Sequence, residues 1–438
     1  MVNTMKNNLQ NDTVRVKQVC YPHLSYVPLI LNILLCLVTV STSGNAHQHS
    51  VKMATKMSVV TCQIADIRCA KTVTSAYAPN GDLWRLWVLN NTMWYQISDD
   101  HGASYTQPKA VPIAAENISA RNENRPKIAF DNNRGVYLSW AMRREKKYTA
   151  DIRFSYSEDY GKTFTNAITI NNDNLLAGHS FNELHVTEQG DVSIVWLDGR
   201  LSHQLRKQGK KAKGSALYLG QANPRKGIQD FTNVALANNT CVCCRIAIDE
   251  NKQGKLAVFW RHIYGDNIRE FALLTLNETQ QSSNNLPVMQ QISFDHWQID
   301  GCPHQGGGIS IDEQNQYHLV WFNQGTQGKG IFYAHSKDQG KSLSKPVAIG
   351  TQIIQAIHPN IVVSDNKVTL VWMAFNGETH ELWMQQSQDG GKSFNEATIL
   401  AEAEQGGDRP FLIKQGKKGK QHLVSWLRFN EDHWTQLL

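Results

Sequence analysis

The chain has 438 residues, 41% of them hydrophobic, and a formal net charge of +6 scattered over interspersed Lys, Arg, Asp and Glu. That apolar content excludes a disordered chain, and the scattered charge lacks the basic stripe with interleaved aromatics that nucleic-acid binding needs. Twelve Trp, thirteen Tyr and thirty Gly against twelve Pro, with no sustained 3.6-residue apolar period, describe short strands and tight turns in place of long helices. At the N-terminus Lys6, Arg15 and Lys17 precede an apolar run over residues 26–40, followed by Gly44, Asn45 and Ala46. This is the layout of a secretory signal cleaved after Ala46, so residues 47–438 are expected to form one exported domain, periplasmic or extracellular. The apolar run is short for a membrane span and contains Pro28 and Asn32, so no retained span is expected.

Downstream, one frame repeats: an inner apolar strand, a polar turn, and a second strand ending in Trp. The clearest copy runs from Arg125 through Ile128 to Asp131, then from Val136 to Trp140. It returns over residues 181–196, 243–260, 306–321, 358–372 and 409–426, with a degenerate first copy ending at Trp87. Tryptophans 87, 140, 196, 260, 321, 372 and 426 therefore recur every 51 to 64 residues, a step that belongs to propeller blades or solenoids. The basic run at 206–213 falls between strand-like segments and reads as a solvated loop.

After the third strand of a unit comes a stereotyped turn, Ser-x-Asp-x-Gly-x-Ser/Thr-aromatic. It appears at Ser98, Asp100, Gly102, Ser104 and Tyr105, and again at Ser157, Asp159, Gly161, Thr163 and Phe164. Two further copies occupy Ser336 to Leu343, where Leu343 replaces the aromatic, and Ser387 to Phe394. Asp and Ser bond nearby backbone N–H groups and Gly supplies the positive φ, so the turn is structural chemistry.

These turns are similar to the Asp boxes of the sialidase superfamily, and the likeness spans nearly all of residues 47–438. It implies an all-β fold, a β-propeller of four-stranded blades, with the boxes on the outer rim and away from any chemistry. Seven Trp-ended units point to seven blades, while six is the number that authentic sialidases have. A strand near residues 58–64 is expected to close the ring against the last unit, which removes exposed sheet edges. A narrower likeness, carried by the Cys-x-Cys-Cys segment, Asn267-Ile268-Arg269, Trp297 and Gly301-Cys302-Pro303, is to exported sialidase-like proteins of uncharacterised role.

Inner strands line a propeller's channel, so the residues that open them are the candidate site. Registration on Ile128 aligns Arg125, Phe181, Cys243, His358 and Arg409, with Arg245 two residues further along its strand. Sialidases hold the substrate carboxylate with three arginines, whose planar guanidinium forks match it, so the resemblance makes Arg125, Arg245 and Arg409 candidate ligand residues; ion pairs with Glu123 or Asp408 are the competing reading. Sialidases use a Tyr nucleophile, a Glu and an Asp acid/base, and those are not placed here. Glu183, Asp198 and Asp300 are carboxylates with catalytic potential and equally ordinary turn roles.

Six cysteines follow Ala46. Cys62 with Cys69 makes a local disulfide pair, and Cys302 with a member of the Cys241, Cys243, Cys244 cluster makes a bridge between blades. Alternatively Cys241, Cys243, Cys244 and Cys302 with His304 and His358 hold copper or zinc. Three functions follow: a monomeric propeller binding a small molecule, glycan or metal at its channel mouth, an exo-acting glycoside hydrolase on acidic sugars, or a non-catalytic glycan- or protein-binding module. Whether the chain turns over a substrate is left open by its residues.

Overall fold

The computed structural model describes residues 62, 64–276, 286–350, 355–416 and 419–438. The expected signal segment and most of the 58–64 closing strand lie outside them.

Among the described residues the strands fall into seven antiparallel units, each entered by an inner strand. The inner strands are Val73–Tyr77, Lys127–Phe130, His179–Val186, Ala247–Glu250, Gly308–Ile311, Ile357–Ser364 and Phe411–Lys414. Each touches the next, and the seventh touches the first, so they form a closed ring around a channel. Units three and four are joined by one strand-to-strand pair, Thr240 opposite His262; the last unit has three strands, Phe411–Lys414, His422–Leu427 and His433–Leu437. The chain is a β-propeller, the architecture that the sialidase resemblance implies.

The repeated tryptophans explain how the units hold together. Trp140 lies in the apolar cluster shared by units one and two, Trp196 between two and three, Trp260 between three and four. Trp321, Trp372 and Trp426 continue the series, and Trp87 packs with Leu427 where the ring closes. Each indole sits in a second strand and reaches back onto the preceding unit; all seven are at most 2% exposed, so burying them ties unit to unit.

The Asp boxes staple the rim. In the first, Asp100 accepts from the Ser104 N–H at 2.8 Å and hydroxyl at 2.6 Å, while the Gly102 N–H donates to Ser98 Oγ at 2.7 Å. The same bonds recur around Asp159, Asp338 and Asp389. Their glycines have φ between +80° and +94° and press against the preceding unit: Gly161 on Trp84, Gly340 on Leu273, Gly391 on Tyr333, and Gly102 on Thr435 of the last unit.

One local expectation is corrected. The basic run begins inside an α-helix, Arg200–Lys207, and only its remainder lies beyond the helix. Arg206 and Lys207 stand in the last turn, where positive charge faces the negative end of the helix dipole. Among the described residues no helix is long and apolar enough to cross a membrane.

Candidate functional site

At three of the inner strands, a side chain three residues ahead of a neighbouring inner strand accepts a backbone N–H near the strand's start. The Val73 N–H donates to Asp408 Oδ2 at 3.2 Å, the Phe181 N–H to Asn124 Oδ1 at 2.9 Å, and the His358 N–H to Gln305 Oε1 at 3.0 Å. Phe181 and His358 reach their places at φ of +55° and +54°, in the left-handed region that costs a non-glycine residue about 1–3 kcal/mol. Both strands are bulged near these residues.

Below this layer lies a cavity of about 330 Å³ lined by residues from every inner strand. Its wall is apolar along Ile128, Leu184, Ile246, Ile309 and Phe411, and charged at Glu123, Arg125, Lys127, Glu183, Arg245 and Arg409. The three arginines singled out in the sequence thus reach one cavity. They are not equivalent.

Arg125 is buried and pairs with Asp408 at 2.8 Å, while also donating to the carbonyls of Val73 and Asn122. Burial pushes the Asp408 carboxyl up to about 6, against the pull of Arg125. Arg245 lies 3.1 Å from Glu123 and donates to the carbonyls of Gly307 and Pro359 at 2.6 and 2.9 Å. Lys127 holds Glu183 at 2.6 Å. Arg409 is different: its Nη1 finds only the Met373 sulfur at 4.0 Å, and its buried Nε has no partner among the described residues.

His358 stands beside this group. It is 3% exposed and does not itself line the cavity, its Nδ1 lacks a partner among the described residues, and burial, then Arg409, Arg245 and His304, hold its pKa well below the ordinary histidine range. The imidazole is therefore neutral, able to share a hydrogen bond without adding charge. Four cations, Arg125, Lys127, Arg245 and Arg409, face three carboxylates, Glu123, Glu183 and Asp408, and the cation in excess is the one without a bonded oxygen.

The carboxylate candidates separate. Glu183 lines the cavity but is engaged by Lys127. Asp198 is fully buried away from the lining, accepting from Trp196 Nε1 and Arg200 and lying 3.6 Å from His179. Asp300 is exposed outside the cavity. Asp198 therefore serves the packing of unit three, and no tyrosine is among the described residues that line the cavity.

The cysteines also separate. Cys62 and Cys69 are joined by a disulfide with Cα atoms 5.8 Å apart. The expected bridge from Cys302 is not formed, because Cys302 is exposed and free while Cys241, Cys243 and Cys244 are buried and free. Those three sulfurs cluster, with Cys241 Sγ 3.7 Å from Cys243 Sγ and 3.1 Å from Cys244 Sγ. Cys302, His304 and His358 are outside that donor group, so the six proposed ligands do not form one site. The thiols of Cys243 and Cys244 stabilise a Cys241 thiolate, lowering its pKa against the effect of burial, and the Arg261 guanidinium adds to this.

Lys127 and Arg261 are not among the residues that the sequence marks, and Glu123 enters there only as an ion-pair partner of the arginines. Lys127 opens its inner strand two residues after Arg125, while Glu123 lies in the turn before it, where the alternation of a strand does not apply; Arg261 carries no comparable signal beyond following Trp260.

No family model and no curated protein matches the sequence. Among solved structures, an ulvan lyase of a new polysaccharide lyase family, bound to -[GlcA(1-4)Rha3S]-, is similar over 84% of this chain and 94% of its own, at 12% identity and a TM-score of 0.53. A Hadza microbial sialidase covers 82% and 76% at 11% identity and a TM-score of 0.47. An α-L-arabinanase of Penicillium chrysogenum complexed with arabinobiose covers 84% and 93% at 13% identity and 0.45. The likeness to the lyase shows the fold alone.

Proposed function

We propose that this chain is a glycan-binding propeller whose channel mouth takes the carboxylate of an acidic sugar through Arg409. The contrast among the arginines carries the reading: Arg125 and Arg245 each pair with a protein carboxylate, whereas among the described residues none lies within 4.0 Å of the Arg409 side chain, and Glu123 and Asp408 act on it only through their charge. A planar guanidinium with an unpartnered Nε is suited to a bidentate carboxylate, and the partnerless Nδ1 of neutral His358 offers a neighbouring hydrogen bond. Apolar wall residues such as Ile128 and Phe411 give the sugar's C–H face a surface.

A lyase of this fold bound to a glucuronate-containing saccharide makes glucuronides the first probe. Binding is favoured over turnover because Glu183 is bonded by Lys127 and Glu123 lies 3.1 Å from the Arg245 guanidinium without a hydrogen bond to its Oε1, so both carboxylates of the cavity are committed to a neighbouring cation, whereas a general acid or base needs a free proton-transfer position. The Cys62–Cys69 disulfide accords with an oxidising, exported location. Calorimetry with glucuronate- and sialate-containing oligosaccharides tests the reading: acidic sugars bind and their neutral counterparts do not, whereas equal affinity for both would remove the carboxylate from it.

A further inference from the structure

We propose that Cys241, Cys243 and Cys244 form a three-sulfur site for one copper(I) ion, separate from the arginine-lined cavity. None of the three lines that cavity. Cys241 follows the outer strand of unit three, Ile228–Thr240, and the other two precede the inner strand of unit four, Ala247–Glu250. The turn between them folds the three sulfurs to within 4.8 Å of one another, and they form a buried cluster of their own, outside the apolar cores between units. A purely apolar role would place them in those cores.

The surroundings are built. The Cys241 N–H donates to the Arg261 carbonyl at 3.0 Å, so the turn is pinned to the second strand of unit four. The Arg261 guanidinium faces Cys241 and Cys244 and is itself fixed, donating to the carbonyls of Gln305, Arg269 and Phe322 and to Asn323 Oδ1. A rigid, buried cation beside three thiols offsets the negative charge of a metal thiolate cluster.

The donor set selects the ion. Three thiols suit a soft ion, and among the described residues no imidazole or carboxylate joins them within 4.8 Å. Structural zinc takes four ligands in a tetrahedron, whereas copper(I) accepts three sulfurs in a plane. Trigonal bonds of about 2.3 Å set sulfurs about 4 Å apart, so the observed 3.7 and 3.1 Å need a sub-ångström opening. On binding, each sulfur that still carries a proton releases it to solvent and lends a lone pair to the metal. No electron moves, because copper enters as copper(I).

The test uses the full chain, reduced under anaerobic conditions and titrated with the acetonitrile complex of copper(I) against a chromophoric copper(I) chelator. One copper per chain is expected, with X-ray absorption showing sulfur ligands only. Cys243→Ser should weaken binding at least about tenfold, while Cys302→Ser leaves it unchanged. The proposal is overturned if the folded wild-type chain binds no copper, if oxygen or nitrogen ligands dominate, or if Cys302→Ser is as damaging as Cys243→Ser. Four-coordinate zinc held more tightly than copper(I), or a metal-free chain from its own cell with Cys241 and Cys244 joined as a disulfide, would overturn it too. Because the wild-type spectrum reports the ligands directly, a misfolded variant cannot rescue the idea.

Discussion

Arg125 and Asp408 meet at 2.8 Å although 283 residues separate them in the chain, and the carboxylate that holds the arginine also accepts the Val73 N–H. Units two, seven and one are thereby clasped at a single buried point on the channel mouth. Asp408→Ala leaves Arg125 buried without its partner, and the expected cost is about 3–5 kcal/mol. Urea unfolding at pH 8, where the carboxylate is ionised, measures it. An unchanged midpoint would mean that the clasp contributes nothing to closing the ring.

A second buried ion cluster predicts a pH window. His179 donates to Asp173 at 3.0 Å and lies 3.6 Å from Asp198; burial alone would lower the histidine pKa, but these carboxylates raise it. Burial likewise opposes ionisation of Asp173, yet the His179 bond outweighs it and brings the carboxyl down to about 2. The depressed Asp173 stabilises the fold above about pH 3.8 and loses that contribution as pH falls toward 2; the raised His179 stabilises below about 6.5 and loses it as pH rises through the folded pKa. The cluster's contribution should therefore be fullest between about pH 4 and 6.5. Melting temperatures from pH 3 to 9 should show His179→Gln losing the alkaline limb; parallel curves for wild type and variant would refute the assignment.

The Asp-box glycines should resist substitution for a reason outside their own turn. A Cβ at Gly161 would lie 2.8 Å from Trp84 Cη2 in the preceding unit, at a φ of +80°. Gly161→Ala is expected to cost about 1–3 kcal/mol through overpacking and backbone strain together. Exposed Lys162, changed to Ala as the control, should not move the thermal midpoint. Sugar binding in a folded Gly161→Ala protein should stay at the wild-type level, since the rim is remote from the cavity lining.

The repeat was readable because its information is local. A Ser, an Asp and a Gly at two-residue steps fix one turn, and a Trp at a regular interval fixes one unit, so both survive reading along the chain. The candidate site was readable only as a set of inner-strand openings. That Arg125 and Arg245 would be occupied and Arg409 left without a carboxylate depends on Asp408 and Glu123 crossing to other units, which needs the closed ring. For the same reason the sequence leaves Cys302 open to a bridge with the Cys-x-Cys-Cys turn or to a metal site shared with it, and the fold forms neither, leaving Cys302 exposed and the three thiols enclosed with Arg261. The helix at Arg200–Lys207 was missed because two turns are too short to display a period.

Recognition of an acidic sugar rests on Arg409, and calorimetric titration of wild-type and Arg409→Met protein with a glucuronate-terminated oligosaccharide and its methyl ester measures it directly. Loss of a charge-assisted bidentate bond is worth about 1.5–3 kcal/mol, roughly a ten- to hundredfold weakening. Wild-type protein should bind the acid and not the ester, and Arg409→Met should lose that preference while keeping its melting temperature. Acid and ester bound alike by wild type, or a folded Arg409→Met protein that still prefers the acid, would contradict it.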